Sequence, residues 1–148
     1  YAQADADFNG YEFEVGRSFS TNNGELQISY GREEVVGTFA SGGNVPRITP
    51  IKNVYRFALE QRDVTYDIKI MDVQKEDDIG FGESVTDGYT MVDFDIRRSI
   101  AIGNDEELVL SVFGRNLMDE KARNHTSYVK NEVPLAGRNF GIKLNFNF

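Results

Sequence analysis

The chain has 148 residues, no cysteine and a formal charge of −8, from 24 acidic against 16 basic side chains. The absence of cysteine excludes disulfides, thiolate metal sites and cysteine nucleophiles within this segment. The acidic balance excludes nucleic acid as a partner, because phosphate backbones are bound by basic surfaces.

In chain order, Asp7 to Phe19 alternates. Phe8, Tyr11, Phe13 and Val15 interleave with Glu12 and Glu14, with a phase slip near Asn9–Gly10. Thr21-Asn22-Asn23-Gly24 is a turn signal whose Asn and Gly tolerate positive φ. Leu26, Ile28 and Tyr30 alternate with Gln27 and Ser29, in a strand that runs on through Val35 and Phe39. Ser41 to Lys52 carries Pro46 and Pro50 and is a loop, since proline cannot donate to a ladder. Tyr55, Phe57 and Leu59 form a third strand, and a turn at Gln61–Asp63 leads to Tyr66, Ile68 and Ile70. An acidic, glycine-bearing loop spans Gln74 to Asp87. Val92, Phe94 and Ile96 form a fifth strand, Gly103-Asn104-Asp105 turns the chain, and Leu108, Leu110 and Val112 form a sixth. After a long loop from Met118 to Ala136, Phe140, Ile142, Leu144, Phe146 and Phe148 alternate with Gly141, Lys143, Asn145 and Asn147.

Seven strands therefore follow one another with no helix between them. Successive side chains of a strand point to opposite faces, so each strand is apolar on one side and polar on the other. The three short turns fall at one end of the array and the three long loops at the other. Outer-membrane barrels have this asymmetry, and about ten residues of such a strand cross a bilayer at the usual tilt. Aromatics near strand ends (Tyr11, Phe19, Tyr55, Tyr66, Tyr89, Phe146, Phe148) read as an interfacial girdle. No apolar run approaches the about 18 residues of a membrane helix, but barrel strands escape that test. The fold expected is an all-β, antiparallel transmembrane β-barrel segment of about seven consecutive up-and-down strands. Tyr1 opens directly into a patterned segment with no signal-peptide start, so the chain reads as an interior or C-terminal piece of something longer.

Asp87 to Phe148 resembles the end of TonB-dependent outer-membrane receptors. The residues that carry the likeness are Gly88-Tyr89-Thr90, Gly114-Arg115-Asn116-Leu117, and Pro134-Leu135-Ala136-Gly137-Arg138-Asn139-Phe140 ahead of a terminal Phe148. The stretch Ala122 to Lys130, with Gln3 to Ala6, Gly10-Tyr11-Glu12 and Pro46 to Pro50 upstream, is similar to the zinc-uptake receptor subgroup. The family's usual prolines are replaced by Thr49 and Ala136. The resemblance implies a larger plugged barrel of about twenty-two strands, of which this chain is the C-terminal portion. The earlier strands, the plug and the segment that engages TonB lie outside it. It also implies outer-membrane lipid and the outer-membrane assembly machinery as partners, the latter reading Phe148, and an outer-membrane location.

The resemblance makes His125, the only histidine, a candidate accessory zinc ligand. A single imidazole cannot complete a zinc site, so packing or hydrogen bonding within the loop is the competing role. Glu76-Asp77-Asp78 could attract a hard cation or simply be a solvated loop. Glu12, Glu14, Asp67, Asp93 and Asp95 share a face with Arg56, Lys69, Arg97 and Lys143, which makes ion pairs the expected role for these carboxylates rather than acid–base catalysis. No hydrolase elbow, phosphate loop or zinc-protease helix is present, and no catalytic residue or resident cofactor is expected. The function expected is energised uptake of a scarce metal or metal chelate, with zinc favoured as cargo. A haem or ferric-siderophore receptor of the same class is the alternative, and a passive pore or soluble all-β binding module is more distant.

Overall fold

The computed structural model describes residues 3–103 and 106–148. They form one sheet of seven strands: β1 (Ala6–Thr21), β2 (Gly24–Phe39), β3 (Lys52–Gln61), β4 (Val64–Val73), β5 (Tyr89–Ala101), β6 (Glu107–Arg115) and β7 (Asn139–Asn147). Every neighbouring pair is antiparallel and the spatial order follows the chain order. Among the described residues there is no helix. The expected meander of seven strands therefore holds, as do its three long loops at residues 40–51, 74–88 and 116–138. Two of the expected short turns close β1–β2 and β3–β4. The third falls partly on Asn104 and Asp105, which lie outside the described residues.

The register fixes the two faces. One row of paired residues crosses all seven strands as Phe19, Leu26, Leu59, Tyr66, Ile96, Val112 and Ile142. The adjacent row on the opposite face reads Ser18, Gln27, Ala58, Asp67, Asp95, Phe113 and Gly141. The sheet is a single layer. The apolar side chains buried among the described residues are Pro50, Val73 and Ala122, while Phe140, Ile142, Leu144 and Phe146 are 65%, 72%, 65% and 50% exposed. A soluble sandwich would cover this face with a second layer, because burying one such side chain is worth about 1.5–3 kcal/mol. A continuous uncovered apolar face opposite a charged one is instead the pattern of a transmembrane barrel wall.

Three expectations are corrected. β1 pairs with β2 without interruption from Ala6 to Thr21, so there is no phase slip at Asn9–Gly10, and Phe8 lies on the polar face over Gly37. Tyr89, paired with Val73, also lies on the polar face and leaves the girdle. The Asn22–Asn23 turn uses no positive φ; the left-handed residue is Arg62 of the β3–β4 turn, at 50°. Gly24 is required by close approach, since a Cβ there would overlap the Glu60 carbonyl.

The loop ends of β1–β5 carry an unexpected polar belt on the apolar face, which also bears Arg17 and Arg98 near its turn ends. Arg32 donates to the Tyr11 hydroxyl (2.8 Å) and to Glu34 (2.7 Å), and Tyr11 donates to Glu34 (2.7 Å). Tyr30 and Arg32 both donate to Asn53 Oδ1, at 2.9 and 3.3 Å, and Thr90 donates to Asp72 at 3.0 Å. Beneath the belt the rings of Tyr11, Phe13, Tyr30 and Tyr55 form a chain with centroids 5.0–6.2 Å apart. Polar groups that satisfy one another beside an aromatic girdle mark the edge of an apolar zone.

Candidate functional site

The polar face gathers the charged residues that alternation placed there. Arg56 pairs with Asp67 at 2.7 Å, Lys52 pairs with Glu33, and Arg115 grips Asp95 through both terminal nitrogens at 2.8 and 2.9 Å. Asp93 accepts the Asn116 backbone N–H at 2.9 Å. Glu33, Asp67 and Asp95 are thus matched to bases and Asp93 to a backbone donor, although Asp67 and Asp95 stand opposite one another across β4 and β5, while the ion pairs expected of Glu12 and Glu14 do not form among the described residues. Glu12, Glu14, Arg56, Asp67 and Lys69 line an open trough of about 410 Å³ against this wall.

The motif residues near the C-terminus meet at the neck of the 116–138 loop. Asn116 is buried with a left-handed φ of 49°. Its side chain donates to the carbonyls of Glu120 (2.8 Å) and Ala136 (3.1 Å) and accepts the Glu120 N–H at 2.8 Å. Asparagine tolerates that backbone and offers both donor and acceptor. Leu117 N–H donates to Val92 O at 2.8 Å. Asp119 accepts the Arg138 N–H at 2.9 Å, and Arg138 reaches back to the Leu117 carbonyl at 3.3 Å. The structure thus joins Asn116, Leu117 and Arg138, with Gly137 against Asp119. Pro134 is exposed on the far limb of the loop. Phe140 lies on the apolar face beside Phe94, centroids 6.4 Å apart, and Phe148 stacks near Phe146 at 5.9 Å. Asp119, which closes the neck, carried no signal in the sequence.

His125 is 3% exposed and sits where loops meet. Its Nδ1 lies 2.9 Å from Thr86 Oγ1 and 3.2 Å from Lys130 Nζ, and its Nε2 lies 3.5 Å from Glu83 Oε1. Lys130, also buried, donates to Thr86 Oγ1 at 2.8 Å and to the Ser84 carbonyl. Glu83 accepts N–H groups from Arg47 (2.8 Å) and Gly80 (2.9 Å). Every member of the cluster has a partner. Glu76, Asp77 and Asp78 do not converge on a common point. Asp77 is held by Lys75 at 2.8 Å, which lowers its pKa and raises that of the lysine, while Glu76 accepts the Asp78 N–H and burial raises its pKa. Among the described residues no group of three or more His, Cys, Asp or Glu side chains is disposed to hold a metal ion.

The electrostatics of this cluster give a pH dependence. Burial, then the charge of Lys130, holds the His125 pKa below its ordinary 6.5, against the pull of Glu83. Burial pushes Glu83 upward, but the Gly80 and Arg47 N–H donors and the charges of His125 and Lys130 outweigh it and leave it below 4.5. Both groups bind protons more tightly when the loops are undocked. Docking should therefore be full above pH 6.5, weaken as pH falls through the imidazole range, and weaken again as Glu83 protonates. Limited proteolysis at pH 7.5 and 5.5 checks this: cleavage within residues 74–88 and 116–138 should be faster at the lower pH. Equal rates, once protease activity is normalised, would contradict it.

No protein-family model matches the sequence, and no curated protein matches it. Among solved structures the fold is similar to that of the copper transporter OprC, with a TM-score of 0.77 and 19% sequence identity over 97% of this chain. The chain spans 24% of that transporter's length. At this identity the likeness concerns the fold: a sheet of seven consecutive up-and-down strands occurs within a larger transporter chain.

Proposed function

We propose that this chain is the C-terminal wall of a TonB-dependent outer-membrane receptor for the uptake of a scarce metal or metal chelate. The observation that carries the reading is the two-faced single-layer sheet, apolar and uncovered on one side and ion-paired on the other. The residue resemblance supports it, as does the likeness of fold to a copper transporter. In this role the chain supplies wall and loops rather than chemistry. The plug and earlier strands would complete the barrel, TonB would engage the missing N-terminal part, and Phe148 would present the chain to the assembly machinery in the outer membrane. The net charge of −8 favours cations over anionic chelates near the barrel mouth.

Zinc is the specific cargo we propose, on the resemblance around Ala122 to Lys130. Most of its ligands would then lie outside this chain, with His125 as an accessory at most, because its two ring nitrogens already face Thr86, Lys130 and Glu83. The test is uptake of zinc and of copper by cells carrying the full-length receptor, compared with His125→Ala. Saturable, energy-dependent zinc uptake that survives the substitution with no more than about a tenfold loss of affinity is expected, at or below the lower end of the range for loss of one outer-shell partner. Absence of zinc uptake alongside tight binding of copper, haem or a ferric chelate would remove zinc and leave the receptor class.

A further inference from the structure

The three long loops are joined pairwise, and each junction is made by different groups. Residues 40–51 meet residues 74–88 where the Pro46 backbone presses against Gly80 and where the Arg47 N–H enters Glu83. Residues 74–88 meet residues 116–138 through Glu83 and Thr86 on His125 and through Ser84 and Thr86 on Lys130. Residues 40–51 meet residues 116–138 where the Arg47 guanidinium lies over the Tyr128 ring, 3.1 Å from its centroid. Arg47 also holds a left-handed φ of 64°, a conformation that a non-glycine residue keeps only when its surroundings impose it.

We propose that these loops form one latched cap that opens and closes as a unit, with Gly80–Glu83 and His125–Lys130 as the two halves of the latch. Loops usually open independently and at low free energy. Here a histidine, a lysine and a glutamate are withdrawn from water inside loops, and each takes at least one partner from another loop: His125 from Glu83 and Thr86, Lys130 from Ser84 and Thr86, and Glu83 from Arg47 and His125 as well as from its own Gly80. Losing one partner strands the others in a buried polar site, so the cost of a single break is felt in all three segments. Gly80 sets the tolerance of the joint: a Cβ there would stand 2.6 Å from the Pro46 backbone nitrogen, a contact that backbone cannot relieve by rotating a side chain. As a gate over a transport path this cap rests on the receptor reading above. As a latch it does not, and its test needs no cargo.

The experiment is hydrogen exchange on the full-length protein in detergent micelles, for Gly80→Ala and Lys130→Met separately. Heat-modifiable gel mobility is used to select folded barrel. Each substitution should raise exchange by about tenfold or more in all three loops, as loss of a buried polar partner implies, while strands β3–β6 stay protected. A rise confined to the loop carrying the substitution would overturn the latch, as would no rise at all. Arg47→Gly serves as a second probe. It keeps the left-handed backbone without strain and the N–H donated to Glu83 but removes the guanidinium, so it should give a smaller rise that again reaches all three loops; an unchanged exchange pattern would exclude Arg47–Tyr128 as a junction.

Discussion

Arginine in place of Ile142 should lower the folding stability of the intact barrel by about 2–4 kcal/mol, the range for a base placed on the lipid face near mid-membrane. Ile142 stands in the middle of β7, 72% exposed, in the apolar row that crosses all seven strands. The same arginine at Asn145, on the opposite face, should change stability by no more than about 0.5 kcal/mol, as for an ordinary solvated position. Urea titration of folding into lipid vesicles measures both. Spin labels at Ile142 and Lys143 give an independent reading: a lipid-soluble quencher should reach the first and not the second. Equal accessibility, or equal cost of the two arginines, would mean that the apolar face does not meet hydrocarbon.

The chain expressed alone in water should fail to give a folded monomer. The sheet ends in two edge strands, β1 and β7, each with a row of backbone groups free to pair. It buries almost no apolar side chains, so little offsets the backbone entropy of about 1–2 kcal/mol per ordered residue. Aggregation by edge pairing and by the apolar face is the expected outcome. A monodisperse monomer with a cooperative melt, prepared without detergent, would reject the membrane reading and restore the soluble binding module.

Strand number, order and loop placement were legible because period-two alternation and proline-rich or glycine-rich breaks are local signals. The phase of individual residues was legible only where the alternation was unbroken. Phe8 and Tyr89 are aromatic, and chemistry suggested the apolar face; only pairing with Gly37 and Val73 places them on the other. Arg32, Glu34, Asn53 and Asp72 continue the apolar phase with polar side chains, and alternation has no means of marking where the apolar zone ends. The loop cluster was beyond reach for a different reason. His125 stands 39 residues from Thr86, and Lys130 stands 46 from Ser84. These contacts span separate loops with no periodicity, so the lone histidine was visible as a residue type while its surroundings were not.

The polar belt has a mechanical consequence for the bilayer. On β3 the apolar run from Tyr55 to Leu59 covers about 13 Å along the strand, between Asn53 and Gln61, whereas on β7 the run from Phe140 to Phe148 covers about 26 Å. The greasy girdle would therefore be uneven in height, low beside β3 and tall only at β7, since on β6 the run from Leu108 to Val112 again covers about 13 Å. Lipid chains around such a wall must shorten on one flank, at a cost of fractions of a kcal/mol per Å of mismatch. The result would be a dimple in the leaflet on the β3 side, and a lateral force drawing thin patches of membrane toward that flank.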